Sequence, residues 1–233
     1  MIVYLQGGLG NQMFQYAAGL GAAKKLRCEL IINNSFYKKH KQRQYELGVF
    51  PISASTFDNV TGELIEEKHF EYQEITKNGM MVGYWQSEKY FDNVAEQVRA
   101  EFKLPKHTID EGMVAVSVRR GDYLHLPDVF CSLGEDYYSK AREIFPDSTF
   151  VVFSDDPDWV EENLKWADIV IKGNSGIVDL SLLSCFKNHI IANSSFSWWG
   201  AWLANGDTVV APKDWFTCDY NTKDLIPDRW IRI

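Results

Sequence analysis

The sequence predicts an α/β protein built around parallel sheet, and two observations carry that expectation. From Met113 onward, short apolar runs at 113–118, 149–153, 168–171, 188–192 and 208–211 alternate with stretches of helical spacing at 135–145, 157–164, 177–186 and 196–204. That alternation builds a parallel sheet with helices on both faces. At the other end of the chain, the apolar run 2–5 passes through a glycine-rich turn into Asn11–Leu26, where Met13, Phe14, Ala17 and Leu20 recur at helical spacing. Ligands of such sheets sit beyond the carboxyl ends of the strands, so the loops after each strand are the places to look for chemistry.

The first hundred residues are less regular. A strand is expected near 29–32, followed by the basic stretch Lys38-Lys39-His40-Lys41-Gln42-Arg43, which reads either as a solvated loop or as contact with an anionic acceptor or a membrane surface. Val82–Ser87 precedes an expected helix that runs to Phe102, and Leu104-Pro105 closes it. A boundary near Pro105 divides the chain into an N-terminal half, 1–105, and a C-terminal half, 106–233.

With 233 residues, 45% of them hydrophobic and 24% charged, the chain has a globular composition. Its formal charge of −8 excludes the broadly basic surface of a nucleic-acid binder. No run approaches the ~20 apolar residues that span a bilayer, and the opening Ile2-Val3-Tyr4-Leu5 is no leader, so a cytoplasmic protein is expected. The four cysteines lack metal or disulfide spacing and are expected to be reduced, buried thiols; the five histidines form no metal-binding pair.

Four loops carry chemistry. Gly7-Gly8-Leu9-Gly10-Asn11-Gln12 lets backbone come close to a diphosphate at a helix N-terminus, although a nicotinamide fingerprint fails because Met13 stands where its third glycine belongs. Arg119-Arg120-Gly121-Asp122 ends an apolar strand, and its two guanidinium forks suit a diphosphate or carboxylate, with Asp122 able to orient one of them. Asp155-Asp156, after the next strand, either cap a helix or serve a ligand. Ala192-Asn193-Ser194-Ser195-Phe196 opens a helix whose Trp198, Trp199 and Trp202 belong in the core, while Asp179 stands at the start of the preceding helix.

Together, Gly7–Tyr16, Gly83–Phe91, Arg119–Tyr123 and Ala192–Gly200 resemble the bacterial α-1,2-fucosyltransferases of glycosyltransferase family 11. The resemblance implies a GT-B-like fold of two facing Rossmann-like halves, GDP-fucose as donor, an oligosaccharide acceptor, no metal or other cofactor, and inversion to an α-linked product. By the same resemblance Arg119 would hold the diphosphate, with Asp122 beside it in the catalytic group, and Arg120 would support the site. Gly8 and Gly10, with Leu9, Asn11 and Gln12 in the same turn, would approach the phosphates from the N-terminal half. Ser194, Ser195 and Phe196 would line the phosphate turn, and Asp179 would read the guanine edge. Asp122, Asp128, Asp155 and Asp156 all stand as candidate bases. The family pattern His-x-Arg-Arg-x-Asp has Ser117 in the place of its histidine here. Other readings of the same residues are a transferase of another GDP-sugar, or a nucleotide- or sugar-binding protein without turnover.

Overall fold

A computed structural model describes residues 1–233. The chain divides into two compact units, Met1–Lys103 with Tyr220–Pro227, and Leu104–Asp219 with Asp228–Ile233.

In the first unit β1 (Ile2–Tyr4) leads into α1 (Leu9–Leu26), then β2 (Ile31–Asn33), the single turn α2 (Phe36–Lys39), β3 (Ser55–Phe57), β4 (Leu64–Glu66), β5 (Met80–Val82) and α3 (Ala95–Glu101). The five strands are all parallel, in the order β3-β2-β1-β5-β4. α1 is buried along most of its length because Met13, Phe14, Tyr16, Ala17 and Ala18 pack inward. It ends at Arg27, whose left-handed backbone (φ 54°) turns its N–H back onto the Ala23 and Lys24 carbonyls. β3 and β4 are three residues long and expose Phe57 and Leu64, too short for an alternating pattern to register in the sequence. The helix expected to run to Phe102 is instead two 3-10 turns, Glu88–Tyr90 and Asp92–Val94, followed by the short α3.

The second unit follows the sequence pattern closely. Its elements are β6 (Met113–Val118), α4 (Glu135–Arg142), β7 (Thr149–Ser154), α5 (Pro157–Asn163), β8 (Ile169–Ile171), α6 (Gly176–Leu183), β9 (Asn188–Ile190), α7 (Ser195–Ala204), β10 (Thr208–Ala211) and β11 (Ile231–Arg232). All six strands are parallel, ordered β11-β10-β9-β6-β7-β8. Val114, Val116 and Val118 point to one face and pack with Tyr138 and Ala141 of α4 and Val160 of α5. Ala115, Val151 and Phe153 point to the other, against Leu183 and Phe186. Each sheet thus reverses its strand order once, between β1 and β5 and between β6 and β9, and the α/β class of two Rossmann-like halves with parallel sheets is what the chain adopts.

Two expectations need correction. Residues 106–233 do not form one continuous half, because Tyr220–Pro227 joins the first unit. There the Asp224 carboxylate receives the Lys89 ammonium at 2.5 Å and the Tyr72 N–H at 2.8 Å. Burial alone would raise this carboxyl, but those two donors hold it below its ordinary value. The chain then returns to the second unit, where Trp230 packs on Trp198 of α7 (centroids 5.3 Å apart) and β11 completes the sheet. The four cysteines are free, as expected, but all are partly exposed and not buried. No helix is long and apolar enough to cross a membrane.

His189, fully buried in β9, donates from Nε2 to the Phe186 carbonyl at 3.2 Å, and its Nδ1 has no partner. Burial pushes its pKa down from 6.5 to about 4. The unfolded chain therefore binds a proton that the folded chain refuses between those values, so the stability linked to His189 is present above pH 6.5 and is lost as pH falls toward 4. We expect this group to contribute about 3 kcal/mol of acid destabilisation. Urea unfolding at stepped pH should show a flatter acid limb for His189→Leu than for the parent.

Candidate active site

The reversal between β6 and β9 sets their carboxyl ends side by side, the position at which open parallel sheets bind their ligands. β6 delivers Arg119, Arg120 and Gly121, while its neighbour β7, in register from Met113–Thr149 to Val118–Ser154, delivers Asp155 and Asp156 beside them. The Arg119 fork is held from two sides, Nη2 by Asp122 at 2.5 Å and Nη1 by Asp155 at 2.9 Å. Arg120 donates its backbone N–H to Asp155 (2.9 Å) and its Nε–H to Asp156 (3.2 Å), with its guanidinium 4.0 Å above the Trp159 ring. Gly121 is required here. A Cβ on it would lie 2.6 Å from Asp155 Oδ2.

Of the two sequence readings of the paired acids, the helix cap is the one seen, and both acids also pair with arginine. Asp156 caps α5 by accepting the Trp159 N–H at 3.2 Å, and it also orients Arg120. All three carboxylates, Asp122, Asp155 and Asp156, are engaged by arginine. No group of three or more His, Cys, Asp or Glu side chains is placed to hold a metal ion.

The other wall comes from the loop after β9. Asn193 is fully buried and its Nδ2 donates to the Cys131 and Trp215 carbonyls, each at 2.9 Å. Its own carbonyl accepts the Tyr123 hydroxyl at 2.9 Å, so one buried phenol ties the arginine loop to the β9 loop. Tyr123 is in turn stacked on Phe130, centroids 4.0 Å apart. Ser194 is the N-cap of α7 and Ser195 and Phe196 form its first turn, whose N–H groups have no intrahelical acceptor. A Cβ on Gly176 would lie 3.8 Å from the Phe196 ring, so the first turn of α6, with Asp179, adjoins that of α7. Burial raises the Asp179 carboxyl, which accepts from Asn174 Nδ2 at 3.0 Å. Trp198, Trp199 and Trp202 lie behind the turn in the core, as expected. Ser117 is buried one residue before the end of β6, paired with Phe153 and on the same face as Ala115.

In the first unit the glycine-rich turn lies at the corresponding reversal, between β1 and β5. Gly7 has φ 80° and a Cβ there would meet Asn11 Nδ2 at 2.6 Å; Gly8 is the N-cap of α1, with Arg43 Nη1 3.5 Å from where its Cβ would be. The basic stretch thus brings one guanidinium to the turn, while Lys38 pairs with Asp58. Asn11 accepts from Gln86 Nε2 at 2.8 Å. Leu9 and Gly10 are buried. Gln12 must be corrected as a donor-binding residue. Fully buried, it donates to the Gly7 and Gln44 carbonyls (3.2 and 2.9 Å) and accepts from the Glu46 and Leu47 N–H groups (2.8 and 3.2 Å). All four positions of its amide are used on backbone. Sequence reasoning gave no role to Gln15, which accepts the Gln6 N–H and donates to the Gly83 carbonyl, both at 3.0 Å, and so spans the reversal as Tyr123 does in the second unit.

The family model described as Glycosyl transferase family 11 matches residues 26–233. The chain belongs to glycosyltransferase family 11. An alpha-1,2-colitosyltransferase of Escherichia coli is 34% identical over 285 aligned positions, which cover 100% of this chain and 98% of that protein. Galactoside alpha-(1,2)-fucosyltransferase 1 of Rattus norvegicus is 27% identical over 97% of this chain and 71% of its own length. The solved fucosyltransferase NodZ from Bradyrhizobium, 11% identical, aligns with a TM-score of 0.47 over 85% of this chain and 91% of that one. This family 11 transferase is a glycosyltransferase related to α-1,2-fucosyltransferases and to a colitosyltransferase.

Gly121→Ala drives a methyl group into a carboxylate that is already bonded twice. We expect a loss of about 1–3 kcal/mol in unfolding free energy. Gly112→Ala, where a Cβ meets nothing within 4 Å, serves as the control in the same urea titration and should change little.

Proposed function

We propose that this family 11 transferase moves L-fucose from GDP-fucose to O2 of a galactoside, with inversion at the anomeric carbon and without a metal ion. The observation that carries the reading is the pair of oriented guanidiniums, Arg119 and Arg120, at the strand reversal where α7 also begins. In the reaction the acceptor oxygen forms a bond to the anomeric carbon while the bond from that carbon to the β-phosphate oxygen breaks. Its electron pair leaves with GDP, the acceptor proton passes to a base or to water, and a β-linked donor gives an α-linked product.

Negative charge grows on the departing phosphate, and donors fixed beforehand stabilise that state more than the ground state. Arg119 is assigned to this role, Arg120 to supporting the diphosphate, and the first turn of α7 at Ser194, Ser195 and Phe196 to receiving phosphate oxygens. Asp122 and Asp155 act by holding the Arg119 fork. Asp179, beside Phe196, is assigned to the guanine edge, where a carboxylate accepts two ring-edge N–H groups. The same geometry supports metal independence, since the acids that would ligate a cation are bonded to arginine. A second reading keeps the mechanism and changes the sugar: colitose, which is fucose without its 3-hydroxyl, is favoured by the 34% identical relative.

Incubation with GDP-fucose or GDP-colitose and a panel of β-galactosides, followed by NMR of the product linkage, decides between the two sugars. Transfer from neither, or from UDP-sugars instead, would overturn the proposal. Activity should persist in excess EDTA, and activity that vanishes with chelator and returns with Mn²⁺ would sink the metal-free reading.

Arg119→Lys keeps a charge but loses the planar fork, and turnover should fall by about a hundredfold or more, the scale of losing one such donor. Near-normal turnover in the folded variant would reassign Arg119 to structure.

A further inference from the structure

Beyond the carboxyl ends of β4 and β5, the first unit presents an aromatic surface. Phe70 and Tyr84 lie nearly parallel, 9° apart with centroids at 6.3 Å, and Tyr220 adjoins Phe70 at 5.4 Å. Tyr84 and Tyr220 are 36% and 46% exposed. Large aromatic rings gathered at a surface, each with an apolar face and a polar edge, are suited to a binding site.

These rings come from three distant stretches of chain, and each is pinned in place. Glu67 accepts the Tyr84 and Trp85 N–H groups at 2.6 and 2.9 Å, and the turn lies so close that a Cβ on Gly83 (φ 155°) would meet Glu67 Cβ at 2.4 Å. Tyr220 opens the returning segment, which Asn221 and Lys223 fasten to Glu71, each at 2.8 Å. Burial raises both the Tyr84 hydroxyl and the Glu67 carboxyl, so the phenol remains a hydrogen-bond donor at neutral pH. The surface is therefore an apolar face bordered by hydroxyls, a carboxylate and a lysine.

Deepening the function proposed above and resting on it, we propose that Phe70, Tyr84 and Tyr220 form the acceptor subsite, on which a galactoside ring stacks. The chemistry fits galactose in particular. Its axial 4-hydroxyl leaves the opposite ring face with adjoining C–H groups at C3, C4 and C5, a flat apolar patch suited to an aromatic ring, while its hydroxyl edge meets polar groups at the rim. Pockets for such ligands combine aromatic faces with a few placed polar groups. Glu67 is a positioning residue that holds Tyr84 in this surface.

The test uses the full chain with lactose and GDP as separate probes. Tyr220→Ala should weaken lactose binding, read by saturation-transfer NMR, by about three- to tenfold, the scale of one aromatic contact. The acceptor KM should rise by the same factor with kcat little changed, Tyr220→Phe should restore both, and the thermal shift produced by GDP should be the same in all three proteins. Tyr84→Ala should behave as Tyr220→Ala does. Unaltered lactose affinity in both alanine variants, or no lactose binding by the parent, would overturn the proposal. A GDP shift lost in Tyr220→Ala would overturn it in favour of a nucleobase on the rings. Failure of the donor reading is distinguishable: GDP would give no shift and no sugar would be transferred, while ring-dependent lactose binding persisted.

Discussion

The carboxylate of Asp155 receives the Arg119 guanidinium and the Arg120 backbone N–H together, and the carboxyl edge of the second sheet is arranged around it. Two adjacent arginines at a strand end repel each other and have many rotamers. Pairing β6 with β7 in register supplies the counter-charges at the right height, and a glycine at 121 leaves room for the carboxylate to approach. With Asp122 and Asp156 included, three carboxylates face two guanidiniums, so the cluster itself has one surplus negative charge. The use proposed for it, holding an anionic ligand, therefore rests less on net charge than on donors whose directions are already fixed. Such donors need no reorganisation when charge shifts toward them. The first turn of α7, which is uncharged yet electropositive, adds to them without adding repulsion.

A common device appears in both units. Where a parallel sheet reverses its strand order, two loops diverge and leave a crevice whose width nothing in the sheet itself fixes. In the second unit the Tyr123 hydroxyl closes that gap by reaching the Asn193 carbonyl. In the first, Gln15 extends from α1 to the backbone on both sides, at Gln6 and Gly83. Each brace is buried, so its hydrogen bonds are not exchanged with water and their loss would leave polar groups stranded. Rigidity at the crevice thus comes from polar side chains within an otherwise apolar frame.

The returning segment solves a different problem. The C-terminal strand must reach β10 to complete the second sheet and to set Trp230 against Trp198. On the way, Tyr220–Pro227 is held by the first unit through Asp224, Asn221 and Lys223. An ion pair at the surface contributes little by itself, but Asp224 is mostly buried and also accepts a backbone N–H. This segment also brings Tyr220 beside Phe70 in the aromatic surface of the first unit.

Amino-acid pattern alone determined the second unit almost in full: every strand from β6 to β10 and every helix from α4 to α7 lies where apolar runs and helical spacing place it, because strands and helices that alternate regularly around a buried sheet imprint that alternation on the chain. It located as well the loops where glycines, paired arginines and paired acids gather at strand ends. The tertiary structure decided the rest. β3 and β4 are too short and exposed to leave a pattern, and Gln12 differs from its neighbours in the glycine-rich turn only by the direction in which its amide points. Which acid serves which arginine depends on the register of β7 against β6. The placement of Tyr220 beside Phe70 and Tyr84 depends on a contact between residues some 150 apart, as the Asn221–Glu71 bond shows. Local spacing encodes what a segment forms; only packing between distant segments fixes which side chains meet.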